Sequence, residues 1–351
     1  MHIPTSYTVE NVRRGHPDKV CDQISDAILD AYLAIDPRAR VAVESFGAHG
    51  LLTIGGEITS TGDVNVDEIA RRVYRDIGFD SPLEIRTQIV KQSPEISAGV
   101  DRDGAGDQGI MYGFATNETP EYLPKGVVYG ARIVALLDTR EVQSALPWLR
   151  PDGKAQVTME AGRVATIVVS VQHTPEVSHG EIERGIIEFI LRPLFGSELD
   201  AATVIINPSG SFTIGGFDAD TGLTGRKIMI DTYGGIIPHG GGCFSGKDAT
   251  KVDRSAAYMA RFAAKNIVAA GIAAEVLVSV AYAIGKAEPV MLSAVDGSGR
   301  DITAIVTAHF DFRPQSIIER LGLRNPIYTR TAAYGHFANP AYPWEEIVQL
   351  S

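Results

Sequence analysis

Apolar side chains recur every three or four residues in several parts of the chain, which is the period of an amphipathic helix. In residues 17–35, Val20, Ile24 and Ile28 share one such face. Pro17 suits a first helical position, where an N–H would have no partner within the helix. The same period predicts helices over further ranges: 67–77, 125–142, 181–191, 249–270, 302–310 and 314–321.

Aspartates form a second stripe on the first of these helices. Asp22, Asp26 and Asp30 follow one another at intervals of four residues, so they share a face. We predict that this face is solvated.

Shorter apolar runs, several of them alternating with polar residues, predict strands. They cover the ranges 41–46, 51–58, 110–116, 164–171, 204–207, 211–216, 276–284 and 290–295. Residues 148–154 contain Pro151 and Gly153 and are predicted to form a turn. The polar, glycine-rich residues 92–109 are predicted to form a mobile loop.

A repeated four-residue sequence supports a repeated architecture. Thr53-Ile54-Gly55-Gly56 recurs as Thr213-Ile214-Gly215-Gly216, and strands and an amphipathic helix surround each copy. We predict an α+β fold of three similar units packed around a pseudo-threefold axis. The predicted units are residues 3–93, 103–218 and 219–350.

Composition restricts the class of protein. The chain has 351 residues, of which 44% are apolar, and a formal net charge of -11. It contains no apolar run of about 18 residues, so no membrane span is expected. Two cysteines give no disulfide framework, and the N-terminal residues lack a signal-peptide pattern, so we expect a cytoplasmic protein. The acidic balance argues against nucleic-acid binding.

A basic, glycine-rich segment stands out against this acidic background. Residues 240–254 begin with three glycines and then supply Lys247, Lys251 and Arg254 at the predicted start of a long helix. Arg226 and Lys227 precede the segment. Glycine-rich turns and helix starts present backbone N–H groups to anions. We therefore predict a polyphosphate site, with Asp248 or Asp253 available to Mg²⁺.

Two alternatives to this interpretation stay open at the level of the segment alone. Residues 241–247 fit the pattern of a P-loop, although Asp248 stands where that motif needs Ser or Thr. The segment also fits an ordinary glycine-rich turn capped by Asp248.

Other stretches carry matching chemistry, each with a structural alternative. His16 and Asp18 lie at a helix start, either to contact an anion and Mg²⁺ or to cap the helix. Glu44 and Glu57 occur in apolar strands, either as cation ligands or as solvent-facing side chains. Further candidates are acids followed by cations (Asp152 with Lys154, Asp220 with Arg226 and Lys227) and two aromatic rings for base stacking or core packing (Phe212 and Phe244).

Taken together, these stretches resemble the S-adenosylmethionine synthetase (methionine adenosyltransferase) family along essentially the whole chain. The resemblance rests on the following segments: Gly15-His16-Pro17-Asp18-Lys19, 22–26, 55–58, 91–94, Gly104-Ala105-Gly106-Asp107-Gln108-Gly109, 222–227, 231–235 and 239–253. It implies the S-adenosylmethionine synthetase fold. It also implies attack of the methionine sulfur on C5′ of ATP, followed by hydrolysis of the tripolyphosphate to phosphate and diphosphate.

The resemblance also implies roles for individual residues. Those implied to be catalytic are His16, Lys154, Arg226, Lys227 and Lys247. Those implied to bind ATP are His16, Asp152, Lys154, Phe212, Asp220, Arg226, Lys227, Cys243 and Lys247. Those implied to bind methionine are Glu57, Gln92, Asp107, Asp220 and Lys251. Those implied to bind metals are Asp18 and Asp253 for two Mg²⁺ ions and Glu44 for K⁺.

The resemblance further implies ATP and L-methionine as substrates and active sites between the subunits of a homodimer or a dimer of dimers. Some positions depart from the family pattern: Arg13-Arg14 before the first motif, Asp103 in a shortened loop, Ser211 for a usual Arg and Cys243 for a usual Ala. Cys243 is either a reactive thiolate or a small spacer. A binding or regulatory homologue with weak turnover is the alternative that these departures leave open.

Overall fold

Three β-sheets, each packed on a long helix, form the framework of the computed structural model, which describes residues 2–91 and 104–350. The strands are β1 Ser6–Val12, β2 Arg40–Ala48, β3 Leu51–Thr59, β4 Glu84–Val90, β5 Gly109–Thr116, β6 Leu149–Glu160, β7 Arg163–His173, β8 Thr203–Ile206, β9 Gly222–Leu223, β10 Glu275–Tyr282 and β11 Met291–Asp296. The helices are α1 Pro17–Ile35, α2 Val66–Ile77, α3 Lys125–Leu137, α4 Arg140–Ala145, α5 His179–Ile186, α6 Arg192–Phe195, α7 Ile228–Asp231, α8 Val252–Ala269, α9 Thr303–His309 and α10 Pro314–Arg320.

The sheets share a common construction. Their strand orders are β4-β3-β2-β9, β8-β7-β6-β1 and β11-β10-β5. Helix α1 packs on β2, α3 on β1 and β6, and α8 on β5 and β10. In the first two sheets an antiparallel hairpin is followed by a helix and a parallel edge strand. The predicted α+β fold with three units is confirmed.

Each sheet also contains a strand from a distant part of the chain. Strand β1 pairs with β6, β9 with β2, and β5 with β10, all antiparallel. The three units are therefore joined by shared sheets as well as by packing. The unit boundaries 3–93, 103–218 and 219–350 stay a prediction.

Several local predictions are wrong. Of the residues in the predicted turn 148–154, those from Leu149 onward lie in β6. The register of β6 with β7 shifts between Leu149 and Gly153, so an irregular strand replaces most of the turn. Residues 211–216 form no strand. The two copies of the Thr-Ile-Gly-Gly sequence are therefore not structurally equivalent, because only the first lies in a strand. The predicted helix 125–142 is divided, since Thr139 caps a second helix through the amide of Val142.

The remaining helices and strands occur as predicted, with shifted ends. Helix α8 starts at Val252 rather than at 249, and Gly271 follows it with φ of +72°. The predicted loop 92–109 lies mostly outside the described residues. In the part of the chain that the structure describes, no helix is long and apolar enough to cross a membrane.

Two of the three aspartates in the stripe of α1 are buried, contrary to the prediction of a solvated face. Asp22 and Asp26 have no exposed surface, whereas Asp30 is half-buried. Asp26 accepts bonds from both terminal nitrogens of Arg254, at 2.7 and 2.9 Å, and Arg254 is also fully buried. Asp26 Oδ1 also accepts the Gly246 amide at 2.8 Å. Arg254 is therefore committed to the core and is not one of the phosphate-binding cations.

Removal of one partner of this buried pair should destabilise the fold strongly. We expect Asp26→Ala to lower the free energy of unfolding by about 3–5 kcal/mol, because it leaves the Arg254 guanidinium buried and unpaired. Urea unfolding followed by circular dichroism measures the change. The control is Glu84→Ala at an exposed ion pair with Arg86, which should cost less than about 1 kcal/mol. Equal losses in the two variants would contradict the prediction.

Candidate active site

The first group of predicted site residues gathers at the N-terminus of α1. Asp18 Oδ1 accepts the amide of Leu223 at 2.9 Å, and Oδ2 accepts Nζ of Lys227 at 2.5 Å. The half-exposed Arg226 guanidinium approaches Asp18 to 3.7 Å. Burial raises the pKa of Asp18, but the bonds from Lys227 and Leu223 outweigh it and lower the pKa. Asp18 is therefore a carboxylate at neutral pH.

His16 is a neutral hydrogen-bonding group in this arrangement. It is buried, and its Nδ1 accepts the Asp18 amide at 3.2 Å as the cap of α1. Burial, reinforced by Lys227 and Lys154, lowers the pKa of His16 to about 3. Because Nδ1 accepts a bond, the ring proton resides on Nε2, which is available as a donor. The capping role and a contact with an anion are therefore compatible, and a cationic imidazole is not supported.

The second group surrounds a cavity of about 400 Å³ on the face of β2 and β3 that points away from α1. Glu44, Glu57, Lys247 and Leu223 line it. Glu44 is exposed and Glu57 is half-buried. Leu223 joins this cavity to the first group, because its amide bonds to Asp18.

Lys247 is paired with a predicted metal ligand. Its Nζ donates to Asp253 Oδ2 at 2.6 Å. Burial lowers the pKa of Lys247, but Cys243 and Asp253 outweigh it and raise the pKa. Lys247 is thus a cation at the edge of the cavity.

Asp248 has a structural role rather than a role as a metal ligand. Its carboxylate accepts the Val41 amide at 2.7 Å and the Thr250 amide at 2.8 Å, and it also pairs with Lys251. The segment that precedes the glycines forms turns instead of a buried strand. The P-loop alternative is therefore wrong, and the capped-turn alternative describes Asp248 correctly.

Two residues of the central unit that were predicted to bind ATP are held in place by hydrogen bonds that involve backbone amides. Asp152 is buried, and its two carboxylate oxygens accept the amides of Gly153 and Gly216 at 2.7 and 2.9 Å. His173 Nε2 accepts the amide of Phe212 at 3.0 Å. Phe212 remains half-buried, which leaves its ring available for stacking. Phe244 is buried and packs on Tyr258, so core packing is its role.

The other predicted residues are less constrained. Lys154, Asp107 and Asp220 are exposed. Cys243 is half-buried, and burial raises the pKa of its thiol, which supports a spacer over a reactive thiolate. Gln92 lies outside the described residues.

Comparison with known proteins now assigns the family. Models of the N-terminal, central and C-terminal domains of S-adenosylmethionine synthetase match residues 4–98, 102–212 and 214–346. The S-adenosylmethionine synthase of Thermus thermophilus is 49% identical, over 97% of this chain and 95% of its own length. The S-adenosylmethionine synthase of Pseudothermotoga lettingae is 46% identical, over 97% and 96%. The chain belongs to the S-adenosylmethionine synthetase family. The predicted methionine adenosyltransferase is thereby confirmed.

This family member contains a buried charged network that the sequence analysis missed. Lys19 donates to Asp22 Oδ2 at 3.0 Å and also pairs with Asp231, and all three side chains are buried. Asp22 Oδ1 accepts the Gly225 amide at 2.8 Å. The sequence signal was the identical spacing of Asp18, Asp22 and Asp26, which placed them on one face of α1.

The residues of this S-adenosylmethionine synthetase fit magnesium only together with a ligand. In residues 2–91 and 104–350, no three His, Cys, Asp or Glu side chains cluster as a preformed metal centre. Magnesium in phosphate-binding sites is held by one or two carboxylates, water and phosphate oxygens. Asp18 and Asp253 are carboxylates of this kind, and each has an ammonium group as its counter-ion. The predicted ligands fit such a site.

A buried histidine next to this network should make stability sensitive to acid. His336 is fully buried and bonds to Tyr258 at 2.7 Å, and burial lowers its pKa well below the usual value. The unfolded chain therefore takes up a proton below about pH 6.5 that the folded chain refuses. We expect the stability advantage of the native chain over His336→Asn to shrink by about 1.4 kcal/mol per pH unit below pH 6.

Urea unfolding of both proteins between pH 7.5 and 5 measures this difference. His179→Asn, at an exposed position of α5, is the control and should show a constant difference. A constant difference for His336→Asn as well would contradict the prediction.

Proposed function

We propose that this chain synthesises S-adenosylmethionine from ATP and L-methionine and then hydrolyses the tripolyphosphate. The methionine sulfur forms a bond to C5′ while the bond from C5′ to the triphosphate oxygen breaks. The electrons of that bond pass to the leaving oxygen, and the sulfur becomes a sulfonium. A neutral sulfur nucleophile needs no general base. Alignment and stabilisation of the leaving group therefore carry the catalysis.

The single observation that carries this proposal is the pairing of cations with carboxylates near Leu223. Asp18, which pairs with Lys227, accepts the Leu223 amide, and Lys247, which pairs with Asp253, lines the same cavity as Leu223. Both lysines are held by carboxylates before substrate arrives. Lys227, Lys247, Lys154 and Arg226 would contact the phosphate oxygens, and the neutral His16 would donate from Nε2 to the leaving oxygen.

Separate residues would serve the other parts of the substrates. Phe212 would stack on the adenine, and Asp152 and Asp220 would contact the nucleoside, with Asp220 also near methionine. Cys243 would serve as a spacer beside the phosphates. Glu57, Gln92, Asp107 and Lys251 would surround methionine. Glu57 is supported by its place in the same cavity as Lys247.

Two Mg²⁺ ions and one K⁺ ion are proposed as cofactors. Asp18 and Asp253 would hold Mg²⁺, which supplies charge neutralisation for the polyphosphate. With a divalent ion at these carboxylates, Lys227 and Lys247 would be available to phosphate. Glu44 would hold K⁺ from the exposed face of β2.

A dimer with sites between subunits is the proposed assembly. The face of β2 that carries Glu44 also carries Phe46, which is 41% exposed. On β5, Ile110 is 47% exposed. Large apolar side chains on the sheet faces opposite the helices support contact with a second copy. The candidate site would then border the interface.

Lys247→Ala tests the assignment directly. We expect it to lower sulfonium formation by about 10²–10³-fold, because one preorganised contact to the developing charge contributes about 3–4 kcal/mol. Product is measured by chromatography after mixing with ATP, methionine, Mg²⁺ and K⁺. Lys125→Ala removes another carboxylate-paired lysine, which contacts Glu198 on the surface, and should leave the rate unchanged.

Two outcomes would reject the proposal. Release of phosphate by the native chain without formation of a sulfonium would exclude adenosyl transfer. Equal turnover of Lys247→Ala and Lys125→Ala would exclude the role given to Lys247.

Glu44→Gln tests the potassium site. The amide keeps the shape of the side chain but removes its charge, so we expect the activation by K⁺ to disappear while the basal rate without K⁺ stays within about twofold. Initial rates are measured from 0 to 100 mM KCl at constant ionic strength, set with tetramethylammonium chloride. Retention of the native K⁺ response would remove Glu44 as the ligand.

A further inference from the structure

Four aspartates on one face of α1 accept backbone amides from residues between 223 and 329. Asp18 accepts Leu223, Asp22 accepts Gly225, and Asp26 accepts Gly246. Asp30 accepts the amides of Tyr328 and Thr329 at 2.9 and 2.7 Å. We call these four side chains the aspartate ladder. The first three aspartates hold the two segments that carry the proposed phosphate-binding cations, whereas the fourth aspartate holds a segment without them.

The second aspartate of the ladder is fully enclosed. Asp22 has no exposed surface, and its two oxygens are fully assigned, one to the Gly225 amide and one to Lys19. Lys19 is fixed in turn by Asp231 at the end of α7. Gly225 and Asp231 bracket Arg226 and Lys227 in the chain. Asp22 therefore controls both ends of this short segment, directly at Gly225 and through Lys19 at Asp231.

The backbone at Gly225 has little freedom to compensate for a lost contact. It adopts φ of +79°, a conformation that favours glycine. A Cβ atom there would lie 2.4 Å from Cβ of Cys243, so the second glycine-rich segment packs directly on it. Without the bond to Asp22, the Gly225 amide would be left unpaired beside this packed contact, and relief requires a shift of the segment.

We propose that Asp22 is a positioning residue for adenosyl transfer, which fixes Arg226 and Lys227 through the Gly225 amide and through Lys19. The inference rests on the proposed function, because it assigns Asp22 to the phosphate end of that site. Asp22 touches no substrate. Its effect on the reaction passes through the two cations that follow Gly225.

The expected effect is selective for the polyphosphate. Supporting residues that orient the ligands of a site typically contribute 10–100-fold in affinity or activity. Displacement of catalytic groups by about 1 Å has an effect of similar size. We therefore expect Asp22→Ala to lower kcat and to weaken binding of Mg²⁺-tripolyphosphate, each at least tenfold. The KM for methionine should stay within about twofold, because Glu57 is not attached to the Gly225 segment.

The conservative variant separates positioning from charge alone. Asp22→Asn retains an oxygen that accepts the Gly225 amide, so its tripolyphosphate affinity should fall between that of the native chain and that of Asp22→Ala. Binding is measured by isothermal titration calorimetry with Mg²⁺-tripolyphosphate, which requires no turnover. If Asp22→Ala does not fold, Asp22→Asn alone decides, with an expected loss of at least threefold.

Asp30→Ala is the matched control, since it removes another aspartate of the same helix that accepts backbone amides. We expect it to lower the melting temperature but to leave tripolyphosphate affinity and kcat within about twofold of the native values. The inference would be overturned if Asp22→Ala bound tripolyphosphate as the native chain does. Equal losses of affinity in Asp22→Ala and Asp30→Ala would also overturn it, because they would indicate general destabilisation.

Failure of the proposed function can be distinguished from failure of this inference. The native chain tests it by forming or not forming the sulfonium, whereas the comparison of Asp22→Ala with Asp30→Ala measures polyphosphate binding alone. A native chain that binds tripolyphosphate without making product would reject the function, and the binding comparison would still decide the role of Asp22.

Discussion

The bonds between carboxylates of α1 and amides of residues 223–246 are the constraint on which the candidate site depends. Glycine-rich segments have high conformational entropy, so they hold a fixed shape only where other groups fix them. Asp18, Asp22 and Asp26 supply this fixation at Leu223, Gly225 and Gly246. Because the acceptors share one face of one rigid helix, the two segments are held in register with each other.

Burial of so much charge requires compensation, and the structure supplies it in pairs. A lone ionised carboxylate in an apolar interior is strongly disfavoured. Asp26 has Arg254, and Asp22 shares Lys19 with Asp231. Asp22 and Asp26 each accept a backbone amide as well, from Gly225 and Gly246. Such networks contribute little net stability compared with apolar packing, but they define one geometry. A site that aligns a triphosphate needs a single geometry more than it needs extra stability.

The sequence predicted the framework well and the partners poorly, for physical reasons. Helical and alternating periods report burial along one element, so α1 and the strand pair β2–β3 were predictable. The same periods cannot distinguish a hydrated aspartate from one that accepts a hydrogen bond from an amide about two hundred residues away. Asp22 and Asp26 were therefore predicted to face solvent. Residues 211–216 have the composition of a strand but no partner strand. The amide of Phe212 donates to His173 Nε2 instead of to a neighbouring strand. The charged residues of the candidate site were proposed because their motifs are specific, whereas their pairing depends on tertiary contacts that the sequence does not show.

A site for a polyphosphate must also be stable when it is empty, and the ion pairs address this need. Several cations close together repel one another when no phosphate is present, which opposes folding. Lys227 on Asp18 and Lys247 on Asp253 neutralise this repulsion locally. The pairs are partly exposed at the lysine side, with 15% and 21% of each lysine side chain accessible, so exchange of partners does not require opening of the core. The buried pairs below them, Lys19 with Asp22 and Arg254 with Asp26, have no such access. The partly exposed pairs can therefore exchange partners at the proposed phosphate site, whereas the buried pairs are permanent.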